Sequence, residues 1–194
     1  MDGNHLTRRG FIAAATTTAA GAALAQNTAQ VVPKKRSPNE IVQVGLIGLG
    51  GRCQQVAKSS FGLQEMNIAA ACDCFRPRVD SCLEALGNAR GWRGYTNFLE
   101  MFEKEKLDGV MVETTTHARA WVTCHAMAAG LDAYIEKPMS LTIAEGREMI
   151  KIARKYGRVT QVGTQQRSMP LNNWASDLVQ NGGIGELKEV LAPN

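Results

Sequence analysis

A chain of 194 residues that is 44% apolar and 21% charged, with 19 Gly, 6 Pro, 3 Trp, 3 Tyr and 5 Phe, has the composition of one folded domain and not of a disordered, collagen-like or disulfide-dense chain. Its 22 Lys and Arg against 18 Asp and Glu leave a formal charge of +4 with no basic run, which argues against a nucleic-acid binder. The five cysteines, Cys53, Cys72, Cys74, Cys82 and Cys124, are odd in number and lack C-x-x-C pairing, so they are expected as small buried hydrophobes; neither a disulfide framework nor a metal site is expected.

Residues 1–25 contain Thr7-Arg8-Arg9-Gly10-Phe11-Ile12, then a run of Ala and Thr ending in Ala23-Leu24-Ala25. A basic start, a weakly apolar stretch and a small-residue end read as a removable signal segment. The stretch is too short and too rich in Ala and Thr to be a stable membrane anchor. The paired Arg8 and Arg9, one spacer and Phe11 resemble the twin-arginine export signal, which implies the export machinery as a partner and the periplasm as destination. Residues 26–40, with Pro33, Lys34, Lys35, Arg36 and Pro38, read as a polar linker, and 41–194 as the folded domain.

From Ile41 onward short apolar runs alternate with helical stretches, the pattern of βαβ units and of a doubly wound, mostly parallel α/β sheet with helices on both faces. The first strand is residues 41–47, apolar enough for burial on both faces. After a glycine turn and a helix, residues 67–72 form the second strand, and Pro77 opens the next helix. Thr96 is expected to cap a helix over 97–104, ahead of a third strand at 109–112. A helix over 118–129 stops at Gly130, and residues 133–135 give the fourth strand. Thr142-Ile143-Ala144-Glu145 is a capping box for a helix running to Tyr156 and stopping at Gly157. A fifth strand at 159–162, a helix at 171–180, a turn at 181–183 and a strand at 187–191 complete the pattern.

The chemistry concentrates at the ends of those strands. Gly48-Leu49-Gly50-Gly51-Arg52-Cys53 follows a buried strand and opens a helix, the context in which a glycine turn binds the pyrophosphate of a dinucleotide at a helix N-terminus. Cys53 stands at the third glycine position, which sets helix packing, and a plain structural turn is the alternative. Asp73 ends the second strand at the spacing of about 20 residues where an acid accepts from the adenosine ribose; its alternative role is a cap ahead of Pro77. That carboxylate favours NAD over NADP, while Arg76 and Arg78 lie close enough to admit NADP. Lys137, between Glu136 and Pro138, follows the fourth strand at its carboxyl end, where such sheets bind ligands, a position that favours function; read alone, its alternative is a solvated turn residue before Pro138.

Taken together, the glycine turn, Glu113-Thr114-Thr115-Thr116-His117, Glu136-Lys137-Pro138 and Gly163-Thr164-Gln165-Gln166-Arg167-Ser168 make the chain from Ile41 onward resemble the Gfo/Idh/MocA oxidoreductases. The resemblance implies a Rossmann domain in which Gly48, Leu49, Gly50, Gly51 and Arg52 hold the pyrophosphate, Asp73 the ribose, Thr114 and His117 the turn along the cofactor, and Glu136 the nicotinamide end. It implies Lys137 as the catalytic group, polarising a carbonyl or orienting an alcohol during hydride transfer. Family members commonly carry Pro-Asp before the histidine and a second histidine two places after it; here Thr115-Thr116 precede His117, and Arg119 takes the second place. The resemblance also implies a sugar or polyol substrate, or alternatively NAD-dependent glycoside cleavage by transient oxidation. Because the chain stops at Asn194, the family's C-terminal substrate domain is expected to be absent. The remaining half would then be a nucleotide-binding module, with homo-oligomers expected only of a full-length protein.

Overall fold

The computed structural model describes residues 41–191. The export signal and linker expected over 1–40 lie outside those residues. The described chain falls into two units, one ending at Val162 and the other beginning at Gly163.

The first unit is built on a six-stranded parallel sheet ordered β3-β2-β1-β4-β5-β6. Its strands are β1 (Val42–Ile47), β2 (Met66–Cys72), β3 (Arg93–Tyr95), β4 (Gly109–Val112), β5 (Asp132–Glu136) and β6 (Thr160–Gly163). The connecting helices are α1 (Gly51–Ser60), α2 (Arg76–Cys82), α3 (Phe98–Lys104), α4 (Thr116–Ala128) and α5 (Ile143–Tyr156). Successive strand residues point to opposite faces, and neighbours along the chain accordingly enter different cores. Leu46 and Ala71 join Cys53, Ala57 and Val79 under α1 and α2. Ile47 and Ala70 join Met101, Ala120, Met127 and Met149 under α3, α4 and α5. This two-sided burial is why the central strands read as nearly continuous apolar runs. A fully buried leucine such as Leu46 contributes roughly 2 kcal/mol through the surface it removes from water.

Several helix ends follow from local chemistry. Thr142 accepts from the Glu145 amide at 3.2 Å while Glu145 accepts from the Thr142 amide at 3.3 Å, the expected capping box. Gly157 closes α5 in the left-handed region at φ 59°, which a residue without Cβ adopts at little cost. The α3 cap differs from the expectation: Asn97, not Thr96, accepts from the Leu99 amide at 2.9 Å.

Two further corrections concern strands. The edge strand β3 was not anticipated; it is three residues long with a central glycine, too short to show periodicity, and the buried Glu105 fixes it by accepting from both Arg93 and Tyr95. The strand expected at 187–191 is not formed. Leu187, Val190 and Leu191 are exposed there, and an apolar run without a neighbouring ladder gains nothing from extended pairing. The second unit instead consists of a 3-10 turn (Gln165–Ser168) and helix α6 (Pro170–Gln180). Of the cysteines, Cys53, Cys72, Cys82 and Cys124 are buried as expected, but Cys74 is exposed because it lies in the loop beyond β2.

Candidate functional site

The register of the sheet decides which side chains meet. Ile47 is paired with Cys72 on one side and with Val112 on the other. The next residue on each chain is therefore Gly48, Asp73 or Glu113, three residues in one row at the carboxyl edge. Backbone bonds extend the ladders into that row, Gly48 N–H to Cys72 O and Glu113 N–H to Ile47 O, both at 2.8 Å. The strand order reverses between β1 and β4, and open α/β sheets bind ligands in the crevice at such a switch point. A cleft of about 350 Å³ opens there, lined by Gly48, Gly50, Asp73, Arg78, Glu113, Thr114 and His117, with Phe98 and Trp121 in its wall.

Gly48 has φ 88°, and a Cβ on it would lie 2.7 Å from the Thr114 amide nitrogen, so only glycine fits between the turn and the end of β4. Gly50 and Gly51 differ: a Cβ on either meets no atom within 4 Å. Their open face adjoins the N-terminus of α1, which has no acidic residue in its first turn and no side-chain cap. Uncapped amide donors with the positive end of a helix dipole suit a phosphate, and the open glycine face leaves room for one. The residues present therefore fit a dinucleotide.

Asp73 is 5% exposed and sits beneath this turn. Its Oδ2 accepts from the Leu49 amide at 2.8 Å and its Oδ1 from the Phe75 amide at 3.0 Å. Arg78 Nη1 lies 3.4 Å from Oδ2. One carboxylate thus ties the glycine turn to the loop after β2, while lining the cleft. Leu49 supplies the turn's anchor: its amide is engaged by Asp73 and its side chain is fully buried.

His117 begins the exposed side of α4, with Nδ1 at 3.1 Å from Thr115 Oγ1. The helix starts at Thr116, two residues before the expected position. Glu136 ends β5 at 3% exposure, with Oε1 3.4 Å from Arg52 Nε. Lys137 follows it, exposed, and the Lys137-Pro138 peptide is cis. Gly48, Gly50, Asp73, Thr114 and His117 share the cleft, whereas Arg52 and Glu136 form a pair beside it.

Two charged residues with no role in the sequence reading belong to this region. Glu113 is 8% exposed, and neither carboxylate oxygen has a hydrogen-bond partner among the described residues. Burial, reinforced by the Glu136 carboxylate and opposed by Arg52 and Arg119, pushes its pKa up to about 7. Arg119 is buried as well; Nη1 donates to Pro138 O at 2.6 Å, and burial lowers its pKa against the pull of Glu136 and Glu113. A glutamate placed directly after the apolar strand Gly109–Val112 was the available signal. Among the described residues no cluster of three or more His, Cys, Asp or Glu could hold a metal ion. Burial raises the thiols of Cys72 and Cys124 to about 12, which leaves them unreactive.

This arrangement defines a nucleotide-binding Rossmann domain, and the family follows from comparison. A sequence model described as the oxidoreductase family, NAD-binding Rossmann fold, of the Gfo/Idh/MocA proteins matches residues 42–164, and the chain belongs to that family. It is 26% identical over 213 aligned positions to the α-N-acetylgalactosaminidase of Shewanella oneidensis, across 95% of this chain and 45% of that protein. It is 28% identical to the rhizopine catabolism protein MocA of Rhizobium meliloti, across 75% and 44%. Among solved structures, myo-inositol 2-dehydrogenase from Lactobacillus plantarum superposes with a TM-score of 0.69 at 28% identity, covering 76% of this chain and 43% of that one. The chain spans less than half the length of these relatives.

Proposed function

We propose that the chain is the NAD(P)-binding half of an exported oxidoreductase that moves hydride between a nicotinamide cofactor and a sugar or polyol. The observation that carries the reading is the open glycine face at Gly50 and Gly51 with Asp73 locked beneath it. In this reading the Gly48 to Arg52 turn binds the pyrophosphate with its backbone donors, and Asp73 accepts from the adenosine ribose. When bound, the nicotinamide supplies the position that accepts or returns hydride. Thr114 and His117 flank the cofactor on the β4 side, and Glu136 orders that end through Arg52. Lys137 polarises the reacting carbonyl or orients the alcohol from the carboxyl end of β5. Export rests on Arg8, Arg9 and the weakly apolar stretch after them.

Calorimetry on the chain is expected to show NAD binding more tightly than NADP, because the Asp73 carboxylate opposes a 2′-phosphate. Asp73→Ala should narrow that difference while leaving Arg78 free to meet the phosphate. NADP binding tighter than NAD would overturn the role given to Asp73.

A second reading is glycoside cleavage through transient oxidation, in which the hydride taken from the sugar is returned and no net NADH forms. The alignment to an α-N-acetylgalactosaminidase over 95% of this chain supports it. Release of N-acetylgalactosamine from an aryl glycoside without NADH accumulation, in a protein of the relatives' full length, would select this reading over the dehydrogenase.

A further inference from the structure

Arg119 lies in the first turn of α4 and is 7% exposed, an uncommon place for a guanidinium, because taking its charge out of water costs stability that few contacts return. Its Nε–H has no hydrogen-bond partner among the described residues, so the side chain does not recover that cost in full. What it does make is one short bond to the backbone. Nη1 donates to the carbonyl oxygen of Pro138 at 2.6 Å, with Thr116 Oγ1 at the edge of reach at 3.5 Å. Pro138 has no N–H through which to be held, and the bond to its carbonyl fastens the turn after β5 to a helix residue 19 positions earlier in the chain. His117 and Ala118, immediately before Arg119, line the cleft. The start of α4 is therefore shared between the cofactor cleft and the Lys137-Pro138 turn.

We propose that Arg119 is a positioning residue: by holding the Pro138 carbonyl it fixes the turn that carries Lys137 relative to the cofactor cleft. This rests on the reading of Lys137 as the group beside the nicotinamide. Lys137 is exposed, and its long flexible chain does not hold itself in one place. Its backbone has to do so. On the near side the β5 ladder ends at Glu136; on the far side the next residue is Pro138, and the Arg119 bond is what grips it. A displacement of about 1 Å at a reacting group costs on the order of a hundredfold in rate, so a grip one residue from Lys137 bears directly on the chemistry. An apolar side chain at position 119 would fill the same space without burying a charge, yet would leave the Pro138 carbonyl unheld. That difference accounts for a cation retained at a site where it is costly.

The test is residue-resolved acylation. The chain is treated with limiting acetic anhydride and the rate at each lysine is read by mass spectrometry, without ligand, with saturating NAD, and with saturating ADP-ribose, which has the same adenosine and pyrophosphate but no nicotinamide. In the wild-type chain NAD should slow acylation of Lys137 several-fold and ADP-ribose should not, with Lys58 in the last turn of α1 as the unaffected reference. Arg119→Met, which keeps the bulk but has no donor, should lose most of the protection of Lys137 at saturating NAD, while its affinity for ADP-ribose by calorimetry stays at the wild-type value. Arg119→Lys, which keeps a cationic donor, should recover part of the protection. A residue needed only for folding would behave otherwise: Arg119→Met would melt earlier and bind both ligands more weakly, yet Lys137 would still be protected once NAD saturates. Protection at the wild-type level in Arg119→Met therefore overturns the proposal while the reading of Lys137 stands. No protection of Lys137 in the wild-type chain, or equal protection by ADP-ribose, overturns both. Should Arg119→Met lose its cooperative thermal transition, Arg119→Gln, polar at the site but with a shorter side chain than the bond to Pro138 requires, is read in its place by the same criteria.

Discussion

At the scale of single residues, the two kinds of glycine in the turn separate folding from binding. Gly48 lies at φ 88° against the β4 backbone, whereas Gly50 has ordinary extended dihedrals and empty space around its missing Cβ. Gly48→Ala should therefore cost roughly 2 to 4 kcal/mol, from a left-handed backbone combined with a clash against atoms that cannot move aside. Gly50→Ala should alter stability by less than about 0.5 kcal/mol and weaken NAD by roughly tenfold or more, because its methyl fills the face meant for the pyrophosphate. Thermal unfolding and calorimetry on the two variants check the division; loss of stability in both would show the open face to be structural. The glycine turn and Asp73 were legible from sequence because each follows an apolar strand. The bond from the Leu49 amide to Asp73 was not, since nothing in a string of residues marks which backbone donor a carboxylate reaches 24 positions away.

At the scale of elements, the capping box Thr142–Glu145 and the stop at Gly157 were readable because both lie within a few residues of the helix they bound. The α3 cap shows the limit of that reading. Thr96 and Asn97 are both good caps by residue type, and only the dihedrals decide: Asn97 takes the extended conformation and its side chain reaches the Leu99 amide. Asn97→Ala should cost about 1 kcal/mol, while Thr96→Ala should cost less than about 0.5 kcal/mol. The two midpoints in a denaturant titration test this, and equal losses would contradict the assignment. The edge strand β3 escaped for a related reason, since the bonds that hold it come from Glu105, on the far side of α3, not from its own three residues.

For the molecule as a whole, the alternation of apolar runs and helices predicts a doubly wound sheet with both faces covered, and the two cores confirm it. The electrostatic group around Glu113 could not be foreseen in the same way. Its members come from α1, β5, α4 and the end of β4, and only the folded sheet collects them. Their effect on stability has a definite sign. The folded pKa of Glu113, about 7, lies above its ordinary value of 4.5. Between those two values the unfolded chain releases a proton that the folded chain retains, so the Glu113 contribution is fully present below the lower value and lost as pH rises through the upper one. Each pKa unit separating the states is worth about 1.4 kcal/mol. Glu113→Gln, which has no proton to lose, should therefore gain stability relative to wild type on going from pH 5 to pH 8 in thermal unfolding. A difference between the two proteins that stays constant across that range would show that Glu113 titrates normally.

The tie between Asp73 and the Leu49 amide has a consequence for how the nucleotide is met. A loop that must be arranged at the moment of encounter gives up conformational freedom then, and that loss is subtracted from whatever its contacts yield. Here the arrangement is completed when β1 and β2 pair and their carboxyl ends close on one another. The bond holds the Leu49 amide independently of any ligand, so that part of the turn gives up little further freedom on docking.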